Sequence, residues 1–200
     1  MTTVLSKVSK IFLGSFDQTA LLPGISDILI VKWNNGHYAT TPFLACFGAH
    51  AMGASVRTFI NNALQNGVDF HIDKYGYVHP MMPDQDMLGL LPLHYGRNVI
   101  KFELDNLHSL EAEVYLYSQE DRLLVSDVDG TMTKSDVRGL YHNMKDINYL
   151  HEGYYDLIER VERNGYKIVW LTMRSLPLYS FSKTYIQKHT KIDGVLLTEP

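Results

Sequence analysis

One cysteine, Cys46, stands in 200 residues. No internal disulfide can form, and a reducing compartment suits the chain. No apolar stretch approaches the roughly 20 residues that a bilayer crossing needs. The N-terminus also lacks the apolar core and small-residue cleavage site of a secretory leader. The expectation is a cytoplasmic protein whose membrane contact is peripheral. Excess positive charge is missing too: 18 basic against 22 acidic residues give a net charge of −4, and with a pI near 6.1 no nucleic-acid partner is expected. The nine histidines form no H-x-x-x-H or H-x-H pair, so a zinc site is not expected either. Cys46 reads as a small core residue. Internal repeats and low-complexity tracts are absent.

What is present is a globular composition, 46% apolar and 20% charged, enough for one or two domains with a sizeable core. Acidic residues are absent before Asp17. Val4, Leu5, Val8, Ile11 and Phe12 recur there at helical spacing opposite Lys7 and Lys10, a small basic amphipathic helix. It suits either the protein's own core or an anionic membrane interface. From Leu21 to Glu120, short alternating runs are separated by turn residues. Ile25–Trp33, Thr41–Phe47, Arg57–Asn61, Val68–Ile72, Val99–Leu104 and Glu111–Tyr117 read as strands. Asn35-Gly36, Asn66-Gly67 and Tyr75-Gly76 read as turns, which together predict an antiparallel sandwich or barrel. Pro80–Gly96, rich in Met, Pro and Gly, reads as the most flexible linker; Met81, Met82 and Met87 suit loop packing better than a lipid-facing surface.

After Glu120 the period changes. Leu123–Ser126, Tyr166–Leu171 and Gly194–Leu197 read as buried parallel strands, and Glu152–Arg163 and Ser180–Lys188 as the helices between them. This is a doubly wound α/β pattern. The first strand runs directly into Asp127-Val128-Asp129-Gly130-Thr131. Alternation along a strand puts both carboxylates on one side at its carboxyl end, where α/β sheets gather ligands. Two carboxylates that close ionise together only with a cation or proton between them. A nucleophile, an acid/base and a hard metal ion make a phosphoryl-transfer site.

Asp127-Val128-Asp129-Gly130-Thr131 resembles the first motif of haloacid dehalogenase-like phosphohydrolases. With Met132-Thr133-Lys134-Ser135-Asp136 after it, the chain resembles the lipin phosphatidate phosphatases, as do His151-Glu152-Gly153, Asn164-Gly165-Tyr166-Lys167 and Gly194–Leu197. At the front, Ile25–Val31, Asn35-Gly36 and Thr41–Gly48 resemble the N-terminal lipin block. The resemblance implies an α+β chain: an amphipathic helix over residues 1–20, an immunoglobulin-like β-sandwich over 21–120, and the first part of a haloacid dehalogenase-like, Rossmann-type domain over 121–200. It implies that Asp127 is the nucleophile and Asp129 the acid/base. Mg²⁺ is then held by Asp127 and the carbonyl of Asp129. Gly130 gives room for phosphate, and Thr131 holds the turn and orients Asp129. Thr172 donates to phosphate oxygens. Arg174 is either a bidentate phosphate clamp or a surface residue, and His151 reads as a helix cap or packed polar group more readily than as a catalytic group. Phosphatidic acid is the implied substrate, with the endoplasmic reticulum or nuclear membrane as the place of work.

The family pattern also requires a lysine beyond the third strand and an acidic metal-binding loop after the fourth. Neither precedes Pro200, and Lys183, Lys188 and Lys191 come too early for that lysine. A form continuing past Pro200 is expected, and three strands alone leave an unpaired edge. Two other functions fit less well: a non-catalytic phosphatidate-binding module, which would lack Asp127, and a phosphoprotein phosphatase, which would not explain the amphipathic N-terminus.

Overall fold

The run predicted as one strand from Ile25 to Trp33 breaks at Ser26-Asp27, and that break joins the two halves of the molecule. The computed structural model describes residues 22–48, 51–134 and 149–199; the amphipathic segment at residues 1–20 lies outside them. Before the break lies β1 (Gly24–Ile25), paired with β4 (Ala45–Cys46). After it lies β2 (Ile28–Lys32), a member of a seven-stranded sheet. That sheet also holds β3 (Tyr38–Thr40), β5 (Ser55–Ile60), β6 (Ala63–Ile72), β7 (Val78–His79), β8 (Gly96–Glu103) and β9 (Ser109–Ser118), in the order β3-β2-β9-β8-β5-β6-β7. Its neighbours are antiparallel except β2 and β9, which run parallel. Alternation turns Val56, Thr58 and Ile60 of β5 and Asn98, Ile100 and Phe102 of β8 inward, as a pleated strand with one covered face requires. There Phe43, Phe70 and Phe102 pack in sequence, with centroids 5.9 and 5.1 Å apart.

Two sequence expectations fail in this region. The hairpin after β5 turns at Asn61-Asn62, both with positive φ (49° and 68°), which asparagine tolerates. Asn66-Gly67 instead lies inside β6, near a shift in the β5–β6 register. The second failure is the Pro80–Gly96 linker. It contains a short helix, α1 (Gln85–Leu90), whose Asp84 cap accepts from Met87 N–H at 2.9 Å. Leu88 and Leu91 are buried, and Met87 packs against the same core. Its apolar residues cover the sheet, which overrides the turn-rich composition.

The second unit is a parallel sheet of β10 (Arg122–Asp127), β11 (Tyr166–Ser175) and β12 (Gly194–Glu199), ordered β10-β11-β12. Two helices, α2 (Tyr154–Arg163) and α3 (Tyr179–Thr190), bring Ile158 and Ile186 into a core shared with Ile168 and Trp170. Trp170 donates to the Tyr154 hydroxyl at 3.1 Å, which meets Ser126 Oγ at 2.9 Å. The other face meets β9, whose Tyr115 and Tyr117 pack on Val169 and Val195. β9 is therefore buried on both faces, which explains its run of covered residues from Ala112 to Tyr115. β10 differs from its predicted burial: Leu123 and Val125 are 37% and 53% exposed, because β10 has one strand neighbour and β9 does not reach across to it.

Ser26 and Asp27 close the opposite edge. Asp27 N–H donates to Leu196 O at 3.2 Å, Leu196 N–H donates to Asp27 Oδ2 at 2.7 Å, and Thr198 N–H donates to Ser26 Oγ at 3.1 Å. Edge groups of β12 that would otherwise be open for pairing are thus used within the molecule. Gly24 permits the approach. A Cβ there would lie 2.3 Å from the Leu176 carbonyl carbon and 2.5 Å from Pro177 N, in the turn Leu176–Leu178. Main-chain atoms cannot rotate away, so Gly24→Ala is expected to cost about 1–3 kcal/mol. That would lower the thermal midpoint by several degrees in a circular-dichroism melt. Gly67→Ala, where the nearest atom is 4.0 Å away, is expected to leave the midpoint almost unchanged.

Candidate functional site

β10 carries Asp127 at its last position, opposite Leu171 of β11. The chain then enters the turn Val128–Met132, where Gly130 has φ of 86°, a conformation glycine adopts without strain. Thr133, fully buried, braces that turn. Its N–H and hydroxyl both donate to Val128 O, at 2.9 and 3.3 Å, and the hydroxyl accepts from Gly130 N–H at 3.4 Å. Sequence reasoning used Thr133 only as part of a motif and missed this role. Thr131 also differs from expectation. The reversal at Gly130 brings it back beside the strand end, and its hydroxyl donates to Asp127 Oδ2 at 3.2 Å rather than orienting Asp129.

Asp127, Gly130 and Thr131 are exposed, whereas the Asp129 side chain is only 18% exposed. Asp129 is gripped from β11, which continues past its predicted end at Leu171 to Ser175. The Thr172 hydroxyl donates to Asp129 Oδ2 at 2.9 Å. Arg174 engages the same carboxylate as a fork, with Nε 2.9 Å from Oδ2 and Nη2 2.5 Å from Oδ1. Its Nη1 donates to Ser182 Oγ of α3 at 3.0 Å, and its side chain is 4% exposed. Thr172 and Arg174 are therefore brought together with Asp129. Arg174 is neither a surface arginine nor an open clamp, because its guanidinium is committed to a carboxylate and a hydroxyl.

His151 lies two residues before Gly153, the α2 N-cap; its main chain donates to Met132 O at 3.0 Å and accepts from Tyr154 N–H at 3.1 Å. Its side chain borders an open cleft of about 560 Å³ with Lys134, Glu152 and Asp156. Among the described residues, no group of three or more His, Cys, Asp or Glu is placed to hold a metal ion. The candidate membrane residues Val4, Leu5, Val8, Ile11 and Phe12 lie outside the described residues. No helix among those described is long and apolar enough to cross a membrane.

A second cluster had no signal in the sequence. Asp27 is fully buried and accepts from the Tyr179 hydroxyl, Lys183 Nζ at 2.5 Å, Glu113 N–H at 3.0 Å and Leu196 N–H at 2.7 Å. Four donors and no acceptor suit the ionised carboxylate. Lys183 Nζ also meets Glu113 Oε2 at 2.6 Å and Gly194 O at 2.6 Å. Arg97 supplies Glu113 with a second cation at 2.5 Å, so two carboxylates face two cations. Burial pushes the Asp27 carboxyl up, with Lys183 pulling against it. Burial acts the same way on Glu113, but there the charge and hydrogen bond of Lys183, helped by Tyr115 and Arg97, prevail and hold it low. The difference follows from cover: Asp27 is sealed, whereas the Glu113 side chain is 10% exposed and has two cations. Burial, then the neighbouring carboxylates, push the hydroxyls of Tyr115 and Tyr179 far above their ordinary range, so both remain protonated donors.

Residues 79–200 match the family model described as LNS2 (Lipin/Ned1/Smp2). The chain belongs to the LNS2 (Lipin/Ned1/Smp2) family. Its similarity to phosphatidic acid phosphohydrolase 1 of Saccharomyces cerevisiae is 31% identity over 112 residues, 56% of this chain and 13% of the relative. Phosphatidate phosphatase LPIN3 of Homo sapiens is 28% identical over 115 residues, 56% of this chain and 14% of that protein. Nuclear elongation and deformation protein 1 of Schizosaccharomyces pombe is 28% identical over 130 residues, 62% and 20%. The matched stretch thus spans about an eighth to a fifth of these relatives' lengths. The LNS2 match covers the whole Asp127–Arg174 constellation.

Proposed function

We propose that this LNS2 chain carries the nucleophile and acid/base of a phosphatidate phosphatase, converting phosphatidic acid to diacylglycerol and phosphate at a membrane surface. One observation carries the reading: an exposed Asp127 at a strand's carboxyl end, two residues before an Asp129 held by Thr172 and Arg174. The names of the relatives supply the substrate class. A carboxylate oxygen of Asp127 attacks phosphorus and forms an aspartyl-phosphate as the bond to the lipid oxygen breaks. Once it is protonated and one arm of the Arg174 fork has opened, Asp129 gives that oxygen its proton, then takes one from the water that releases phosphate and restores Asp127. The Asp127 carboxylate and the Asp129 carbonyl would supply hard oxygen donors of the kind Mg²⁺ takes alongside water. When bound, such an ion offsets the repulsion between phosphate and carboxylate.

Between Thr131 and β11 lie about 35 residues, too few for a large cap domain, so a headgroup at a bilayer surface has access to Asp127. The test is phosphate release from vesicles of phosphatidate and phosphatidylcholine. In a form that also carries the lysine and acidic loop of the family pattern, release with Mg²⁺ that stops on chelation supports the proposal; vesicle binding without release by that form overturns it in favour of a lipid-binding module. Membrane contact through the Val4–Phe12 face is part of the proposal. Deleting residues Met1 to Phe16 is expected to reduce vesicle flotation, and undiminished flotation removes that part.

A further inference from the structure

The clamp on Asp129 is tied to a residue more than a hundred positions earlier. Helix α3 presents Tyr179, Ser182, Lys183 and Ile186 along one buried face, the i, i+3, i+4, i+7 spacing of a helical stripe. Two of these, Tyr179 and Lys183, donate to the buried carboxylate of Asp27. Between them, Ser182 accepts from Arg174 Nη1 at 3.0 Å, and Arg174 forks onto Asp129. Asp27 is itself fixed by main-chain donors from β9 and β12, Glu113 N–H and Leu196 N–H. It therefore sets the rotation and height of α3 from a rigid frame.

We infer that Asp27 is a positioning residue for Asp129, acting through α3, Ser182 and Arg174. A helix turns 100° per residue, so a rotation that frees Lys183 or Tyr179 from Asp27 must also swing Ser182 away from Arg174. The guanidinium then loses its Ser182 anchor, which holds the orientation that makes its fork bidentate. Bidentate geometry is what distinguishes this contact from a mobile ion pair. The N-terminal segment thus contributes to the acid/base position without approaching the reacting atoms. The kinetic consequence rests on the phosphatase reading; the geometric relay does not.

The experiment follows the Arg174 Nε–H signal in ¹⁵N-labelled full chain, assigned by its loss in Arg174→Lys. Tyr179→Phe removes one hydroxyl from Asp27 and Asp27→Asn weakens the whole clasp. Each is expected to shift the signal and to speed its exchange with solvent about tenfold, the scale of one lost hydrogen bond. Ser182→Ala is expected to do the same from the other side, and Arg57→Lys, on the far sheet, to leave the signal in place. A folded Tyr179→Phe whose Arg174 signal matches the unsubstituted chain overturns the relay, even if Asp27→Asn fails to fold. The signal needs no turnover, so a chain that shows the relay but releases no phosphate fails only as a phosphatase. In a form that releases phosphate, Tyr179→Phe is expected to lower kcat while KM stays unchanged; a change confined to KM counts against the relay.

Discussion

Asp127→Asn is expected to abolish phosphate release from phosphatidate, by at least about a thousandfold, while vesicle binding and thermal stability remain. The asymmetry follows from where Asp127 sits. It is exposed at the end of β10 and takes one hydroxyl, from Thr131, so an amide in its place fits with little disturbance. What the amide cannot do is form an acyl-phosphate. Asp129→Asn should differ in kind. On the proposed mechanism it removes the proton donor for the departing lipid oxygen, so hydrolysis of p-nitrophenyl phosphate, whose leaving group needs no proton, is expected to suffer less at the first step than hydrolysis of phosphatidate. Equal losses on both substrates would reject the acid role. Asp129→Asn also breaks the Arg174 fork, so its melting temperature must be measured alongside.

The largest effect on stability is expected at Lys183. Removing one member of a buried ion pair costs about 3–5 kcal/mol, because the partner charge stays behind unpaired. Lys183→Ala leaves Asp27 without its cation and strips Glu113 of one of two. The expected fall in thermal midpoint is roughly 6–20 °C for a chain this size. Differential scanning calorimetry decides it; a fall of a degree or two would show the cluster to be energetically idle. The pH dependence carries a sign. Glu113 is held low in the folded chain. Its contribution is therefore complete above the unfolded glutamate value of about 4.3 and is lost as pH falls through the lower folded value. Glu113→Gln should flatten that acid limb of the midpoint-against-pH curve.

The two stretches of the molecule differed in how much their sequence disclosed. The placement of Asp127 at a strand end and of Gly130 in the turn after it was legible because it depends on neighbours one to three residues away: an apolar run and a tight turn. Strand–helix alternation after Glu120 was legible for the same reason, since its period is local. The β10 edge was partly misread, because a branched apolar run looks alike in a covered strand and in one with an open face. Asn66-Gly67 misled because a strong turn pair can be absorbed into a long strand when the pairing shifts beside it. Asp27, Glu113 and Lys183 were invisible for a different reason. They are separated by 86 and 156 positions, and no spacing rule marks a carboxylate that meets its cation only in three dimensions. Lys183 drew notice only as a lysine too early for another task. Arg174 was singled out as either a phosphate clamp or a surface residue, whereas its guanidinium meets a neighbouring carboxylate.

The closure of β12 by Ser26 and Asp27 has a consequence for how the chain acquires its shape. Contacts spanning about 170 positions complete the parallel sheet, so during synthesis Ser26 and Asp27 emerge well before the β12 residues they meet and must wait for them. Until β12 arrives, Ser26 and Asp27 lack the main-chain partners at Leu196 and Thr198, and the frame that fixes α3 is incomplete. Such non-local closure slows folding, yet its entropic cost grows only with the logarithm of the intervening length, about 0.6 kcal/mol per doubling. A chain built this way tolerates long insertions between its two halves far better than it tolerates the loss of either end of the stitch.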